Sequence, residues 1–320
     1  LAMQLRAVFA PGSDFESAVQ PYGWQLQHLS EDYAELERIC ESPLTRHYPT
    51  ERSIRGLVPE TAAEAFADAE RNRLGLGDGP IHRLRDTLEQ EVGLRIFYIP
   101  MQHQIAAMFA FDEVLGGCIA VNQNHPEARR RLSLAHEYAH FLASRLSASV
   151  DVAARYQRLP EQERFAVAFA PAFLMPATGV SRRFSELKAA GNGKFRYADL
   201  LTLAHYFGVS FESLAKRLEY LRLISRGAWE RIKESGFRPQ EAKSILHLVE
   251  QPVQADLLPT RYLVLALQGY HDGLITEGQF PRFLRVDLLE APRLAEQTLG
   301  DRSAIPMLSE KSIDRPGLAQ

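Results

Sequence analysis

The chain has 320 residues, 46% of them hydrophobic and 24% charged, and its 37 Lys and Arg against 40 Asp and Glu leave a net charge of −3. So even a balance excludes a strongly basic nucleic-acid surface as the dominant feature, and no apolar run approaches the roughly 18 residues of a membrane helix. Length beyond roughly 250 residues argues against one compact core. The two cysteines, Cys40 and Cys118, show neither metal-type nor disulfide-framework spacing, and the opening LAMQLRAVFAPG lacks a signal-peptide pattern, so a cytoplasmic location is expected. Leu1 with Met3 just behind it reads as a trimmed start, with room for a domain upstream.

A helical pattern runs from about Phe15 to Cys40, followed by the turn-rich SPLTRHYPTERSIRGLVPE and a second helical stretch, TAAEAFADAERNRLG. Residues 1–60 are expected to form a helical arm. Asp78, between Gly77 and Gly79, is placed to cap a helix running to about Val92. Three short β-rich runs follow, LRIFYIPM (94–101), IAAMFAF (105–111) and GCIAVNQN (117–124), which predict a small antiparallel sheet. Helix then dominates: PEARRRLSLAHEYAHFLASRL opens on Pro126, and another helix spans about Pro160 to Leu174, ending before Pro176. The fold class is therefore α+β, a small sheet packed on the helix of residues 132–144, with a mainly helical C-terminal region.

That helix carries the chemistry. His136 and His140 lie one turn apart on one face, and Glu137 lies about 100° round from His136. Leu134, Tyr138, Phe141 and Leu142 form one apolar side and Leu132, Ala135 and Ala139 another, so the titratable groups occupy the polar arc of a helix that is otherwise buried. Two His nitrogens at this spacing suit one zinc ion, and Glu137 is placed to move a proton of an activated water, the H-E-x-x-H arrangement. A further ligand is needed. Leu146 removes the pattern in which another His follows six residues on, which leaves an acid from a later helix. Glu163 is favoured, because Ala166, Val167 and Ala170 on its face allow close approach; Glu161 and Glu186 compete for the role.

These residues resemble the ImmA/IrrE family of metallopeptidases. The similarity runs from LGLGDGPIHRLRDTLEQEVGLRIFYIP through GCIAVNQNHPEARRRLSLAHEYAHFLAS to Glu163, Ala166, Phe169, Ala170, Leu174, Met175 and Pro176, and covers roughly residues 60–225. The resemblance implies a zincin-like minimal protease fold, metal ligation by His136, His140 and Glu163 with zinc (manganese as alternative), and Glu137 as catalytic base. It also implies a protein substrate, a repressor-type transcription factor whose cleavage de-represses stress or mobile-element genes. Pro171, inside the second helix, departs from the pattern. The phage-repressor type of helix-turn-helix that many members carry at the N-terminus is not found in residues 1–60.

Beyond the signature, YADLLTLAHYFGVSFESLAKRLEYLRLIS (197–225) has helix-turn-helix spacing, and residues 261–300 could form a second unit with FLRVDLLEA at its turn. In both, cations are balanced by acids: Lys216, Arg217 and Arg222 against Glu212 and Glu219, then Arg282, Arg285 and Arg293 against Asp287, Glu290 and Glu296. That favours protein docking over direct DNA binding. His205 and Tyr206 are candidates to border the cleft or support an oxyanion. The expected organisation is an arm (1–60), a metallopeptidase domain (61–195), a helix-turn-helix-like segment (196–235), a C-terminal helical domain (236–300) and a flexible tail (301–320). Rival functions are a DNA-binding regulator and a non-cleaving adaptor with a structural metal. No membrane association is expected, and the oligomeric state is left open.

Overall fold

The structure is a computed structural model that describes residues 4–7, 15–145, 160–238 and 257–287. The chain divides into two compact units, one of residues 1–31 and 44–259 and the other of residues 32–43 and the chain from 260 on. The first unit starts with strand β1 (Gln4–Ala7) and the greater part of helix α1 (Phe15–Ile39), then α2 (Pro59–Arg73) and α3 (Leu84–Val92). Strands β2 (Arg95–Ile99), β3 (Ala107–Asp112) and β4 (Gly116–Asn122) follow, and then helices α4 (Glu127–Ser144), α5 (Glu161–Leu174), α6 (Ala177–Ala190), α7 (Tyr197–Phe207), α8 (Phe211–Tyr220) and α9 (Ala228–Glu234).

The sheet is mixed, in the order β1-β3-β4-β2, and corrects the antiparallel expectation. β3 and β4 form a hairpin, but β2 pairs in parallel with β4, Arg95 opposite Cys118 and Ile99 opposite Asn122. The loop after β2 therefore carries the chain across the end of β4 before β3 begins. β4 is buried at every position, so it shows none of the polar alternation that would reveal its neighbours' directions. β1, which no pattern announced, adds antiparallel to β3 from Gln4 opposite Phe111 to Ala7 opposite Met108.

α4 lies against β3 and β4. Gly117 permits this: a Cβ there would stand 2.5 Å from Leu94 Cδ2 and 3.1 Å from Phe141 Cε2. One further expectation changes. α3 begins at Leu84, not near Asp78, whose carboxylate instead binds Arg182 at 2.9 Å. α5 continues through Pro171 to Leu174, and Met175 N–H donates to the Pro171 carbonyl at 2.9 Å, so the proline falls in the last turn.

α7 and α8 are joined by a tight turn at Gly208, in the left-handed region at φ 63°, with Ser210 capping α8 through Ser213 N–H at 3.0 Å. No single described helix is long and apolar enough to cross a membrane; only α5 and α6 together reach that length, across a 49° break.

In the second unit, the end of α1 meets α10 (Thr260–His271) and α11 (Gln279–Leu284). Arg261 donates to Glu37 at 3.1 Å, Arg282 to Glu35 at 2.7 Å, and the Tyr262 hydroxyl to the Phe283 carbonyl at 2.9 Å. α10 and α11 are joined by a turn at Gly273, φ 70°, and α11 in turn ends within the first residues of FLRVDLLEA, where Arg285 is left-handed at φ 59°. The remainder of that expected unit, the end of the C-terminal domain and the 301–320 tail lie outside the described residues.

Candidate metal centre

α4 projects His136 and His140 from one face, with their Nε2 atoms 3.2 Å apart. α5 brings Glu163 to them, with Oε1 3.2 Å from His140 Nε2 and Oε2 3.5 Å from His136 Nε2. Among the described residues these three are the one group of His, Cys, Asp or Glu whose ligand atoms all lie within 4.8 Å of one another. Donors held tetrahedrally at about 2.0–2.1 Å from a zinc ion stand about 3.3 Å from each other, so the spacing and the His-His-Glu set both fit one divalent ion. Three protein donors leave a fourth position for water or substrate, which distinguishes a hydrolytic from a structural zinc site.

The three groups also interact with one another. Burial alone would lower the His136 pKa, but its hydrogen bond to Glu163 and the charges of Glu137 and Glu163 outweigh burial and raise it. Burial would raise the Glu163 carboxyl, yet its bonds to His136 and His140 and their charge hold it well below the usual carboxylate range. Imidazole and carboxylate thus satisfy one another as an ion pair, whose proton a divalent ion would have to displace. His140 is 3% exposed and Glu137 1%, so the acid beside the ligands is sequestered from bulk water.

The competing acids are elsewhere: Glu161 is exposed in the first turn of α5, and Glu186 pairs with Arg183 at 2.9 Å. His205 is exposed in the last turn of α7, and the Tyr206 hydroxyl accepts from Arg183 at 3.3 Å, under a guanidinium 4.6 Å from its ring. No hydrogen bond among the described residues joins either of them to the His136, His140 and Glu163 group.

Sequence reasoning passed over the residues that brace this site. Tyr138, fully buried between the two histidines in sequence, donates to Glu70, which also accepts from Arg73 Nε at 3.0 Å. Arg164, next to Glu163, binds Glu60 at 2.8 and 2.9 Å. A buried tyrosine hydroxyl needs a partner, and that was the one available signal.

Residues 89–219 match the family model of the IrrE N-terminal-like domain, Peptidase_M78. That stretch is similar to the Peptidase_M78 domain. It starts within α3 and ends within α8, and so contains β2–β4, α4 and α5 with the whole metal-competent group. Peptidase_M78 is a metallopeptidase family, and the match supports a metallopeptidase whose donor set could hold a metal ion. β1, α1, α2 and the second unit lie outside it. No curated protein matches the chain.

Proposed function

We propose that the protein is a zinc-dependent endopeptidase that cleaves a regulatory protein of the repressor type, with His136, His140 and Glu163 as ligands and Glu137 as catalytic base. The observation that carries this reading is the convergence of three donors from α4 and α5 beside a buried glutamate, inside the stretch similar to the Peptidase_M78 domain. His136, His140 and Glu163 would hold a divalent ion there, which would supply an acidified water and polarise a peptide carbonyl. Glu137 takes a proton on its carboxylate as the attack on the carbonyl proceeds and delivers it to the leaving amine. His136, His140 and Glu163 bind and orient, and take no proton themselves.

A protein substrate is favoured over direct DNA recognition by the state of α8. Arg217 is buried and pairs with Glu64, and Lys216 bonds Glu212 at 2.6 Å, which occupies two of the cations a groove-reading helix would present.

N-terminal profiling of cells expressing the wild type or Glu137→Gln tests the reading. A new N-terminus in a DNA-binding regulator is expected with the wild type alone. Equal cleavage in both strains would rule out Glu137 as the base, and no new N-terminus in either would remove the endopeptidase.

A further inference from the structure

α2 lies outside the Peptidase_M78 domain, yet it holds both helices that carry the candidate ligands. It runs alongside α5 and grips that helix at each end. In the first turn, Glu60 takes both guanidinium arms of Arg164, the residue after Glu163, at 2.8–3.1 Å. In the last turn, the buried Arg71 donates to the Phe173 carbonyl at 2.6 Å, and Phe66 packs edge-on against Phe165 at 5.2 Å between them. α2 meets α4 at the Tyr138 hydroxyl, which donates to Glu70 and accepts from Arg73 at 3.4 Å, while Arg73 Nε fixes Glu70 at 3.0 Å to each carboxylate oxygen.

Tyr138 is two residues past His136, about 200° round the helix, so its side chain leaves α4 on the side away from the two imidazoles. A contact there resists rotation of the helix about its own axis. The magnitude matters: a 20° roll moves a donor atom about 6 Å off the axis by roughly 2 Å, whereas ligand distances are defined to about 0.2 Å. Arg164 plays the equivalent part for α5, because the residue adjacent to Glu163 is clamped by two parallel charge-assisted bonds.

We infer that α2 is the positioning element of the metal centre: through Glu70–Tyr138 and Glu60–Arg164 it sets the roll of α4 and α5, and with it the affinity and geometry of the ion. This rests on the metal reading above. It makes Tyr138 and Arg164 positioning residues, and it places part of what determines metal binding outside the family domain.

The test uses the full chain with Tyr138→Phe and Glu60→Gln, measuring zinc affinity by competition with a chromophoric chelator and the visible spectrum after loading with Co2+. Both readouts are taken well below the unfolding midpoint, where a purely structural weakening would leave them unchanged. Each variant is expected to lose about tenfold in zinc affinity, the low end of what removing a group bonded directly to a metal ligand costs, and to alter the intensity of the cobalt bands. Affinity within twofold of wild type together with an unchanged cobalt spectrum would overturn the inference, even if the unfolding midpoint fell. Should Tyr138→Phe fail to fold, Glu60→Gln, at a partly exposed pair, decides alone. A wild type that takes up neither zinc nor cobalt would bring down the metal reading and this inference with it.

Discussion

Glu163 Oε1 stands 3.2 Å from His140 Nε2, two side chains delivered by different helices to the same point. Glu163→Ala removes an anionic donor and leaves two imidazoles. Zinc affinity is expected to fall by more than the roughly 10–100-fold that loss of an outer partner costs. Competition titration measures this, and an unchanged affinity would take Glu163 out of the ligand set.

Zinc uptake should release protons. With the His136 pKa raised in the metal-free protein, a larger share of the imidazole is protonated near neutrality than for an ordinary histidine, and it must be neutral to bind. Affinity therefore weakens as pH falls through the histidine range. Calorimetry in buffers of different ionisation enthalpy reads the proton count directly, and a buffer-independent enthalpy would contradict the expectation.

How much of this was legible in the sequence differs by element. The α4 face could be read because ligand spacing and helix pitch coincide, and Glu163 because its neighbours at i+3 and i+7 are alanines. The direction of β2 could not, since strands buried on both faces carry no alternation to orient them. The role of α2 was hidden for a different reason. The partners of Glu60, Glu64 and Glu70 are Arg164, Arg217 and Tyr138, which come from α5, α8 and α4 and which only the fold brings near. Pairs so distant in sequence leave no local signature.

Gly179, in the first turn of α6, has no room for a side chain. A Cβ there would meet the Asp78 carbonyl oxygen at 1.9 Å, in a loop already held by Arg182 and Arg71. Gly179→Ala is expected to cost about 1–3 kcal/mol, as overpacking does. Gly278→Ala, which meets nothing within 4 Å, should stay within about 0.5 kcal/mol. Denaturant unfolding of the two variants makes the comparison, and equal midpoints would show that the loop gives way freely.

Thiol labelling tests the sheet's burial. Cys118, on β4, is fully buried, and that burial pushes its thiol up to about 11, so almost no thiolate exists at pH 8. Cys40 is partly exposed and its thiol is raised mainly by burial. Native protein treated with iodoacetamide at pH 8 should be modified slowly at Cys40 and not at Cys118, and the second site should open only on unfolding. Prompt modification of Cys118, seen by peptide mass mapping, would contradict the described packing of β4.

The most direct test of the metal centre is a calorimetric zinc titration of chelator-stripped wild type beside the His136→Ala/His140→Ala double variant. One zinc per chain in the wild type and none at the same site in the variant is the expected result. No uptake by the wild type, or equal uptake by both, would mean that His136, His140 and Glu163 do not form the site.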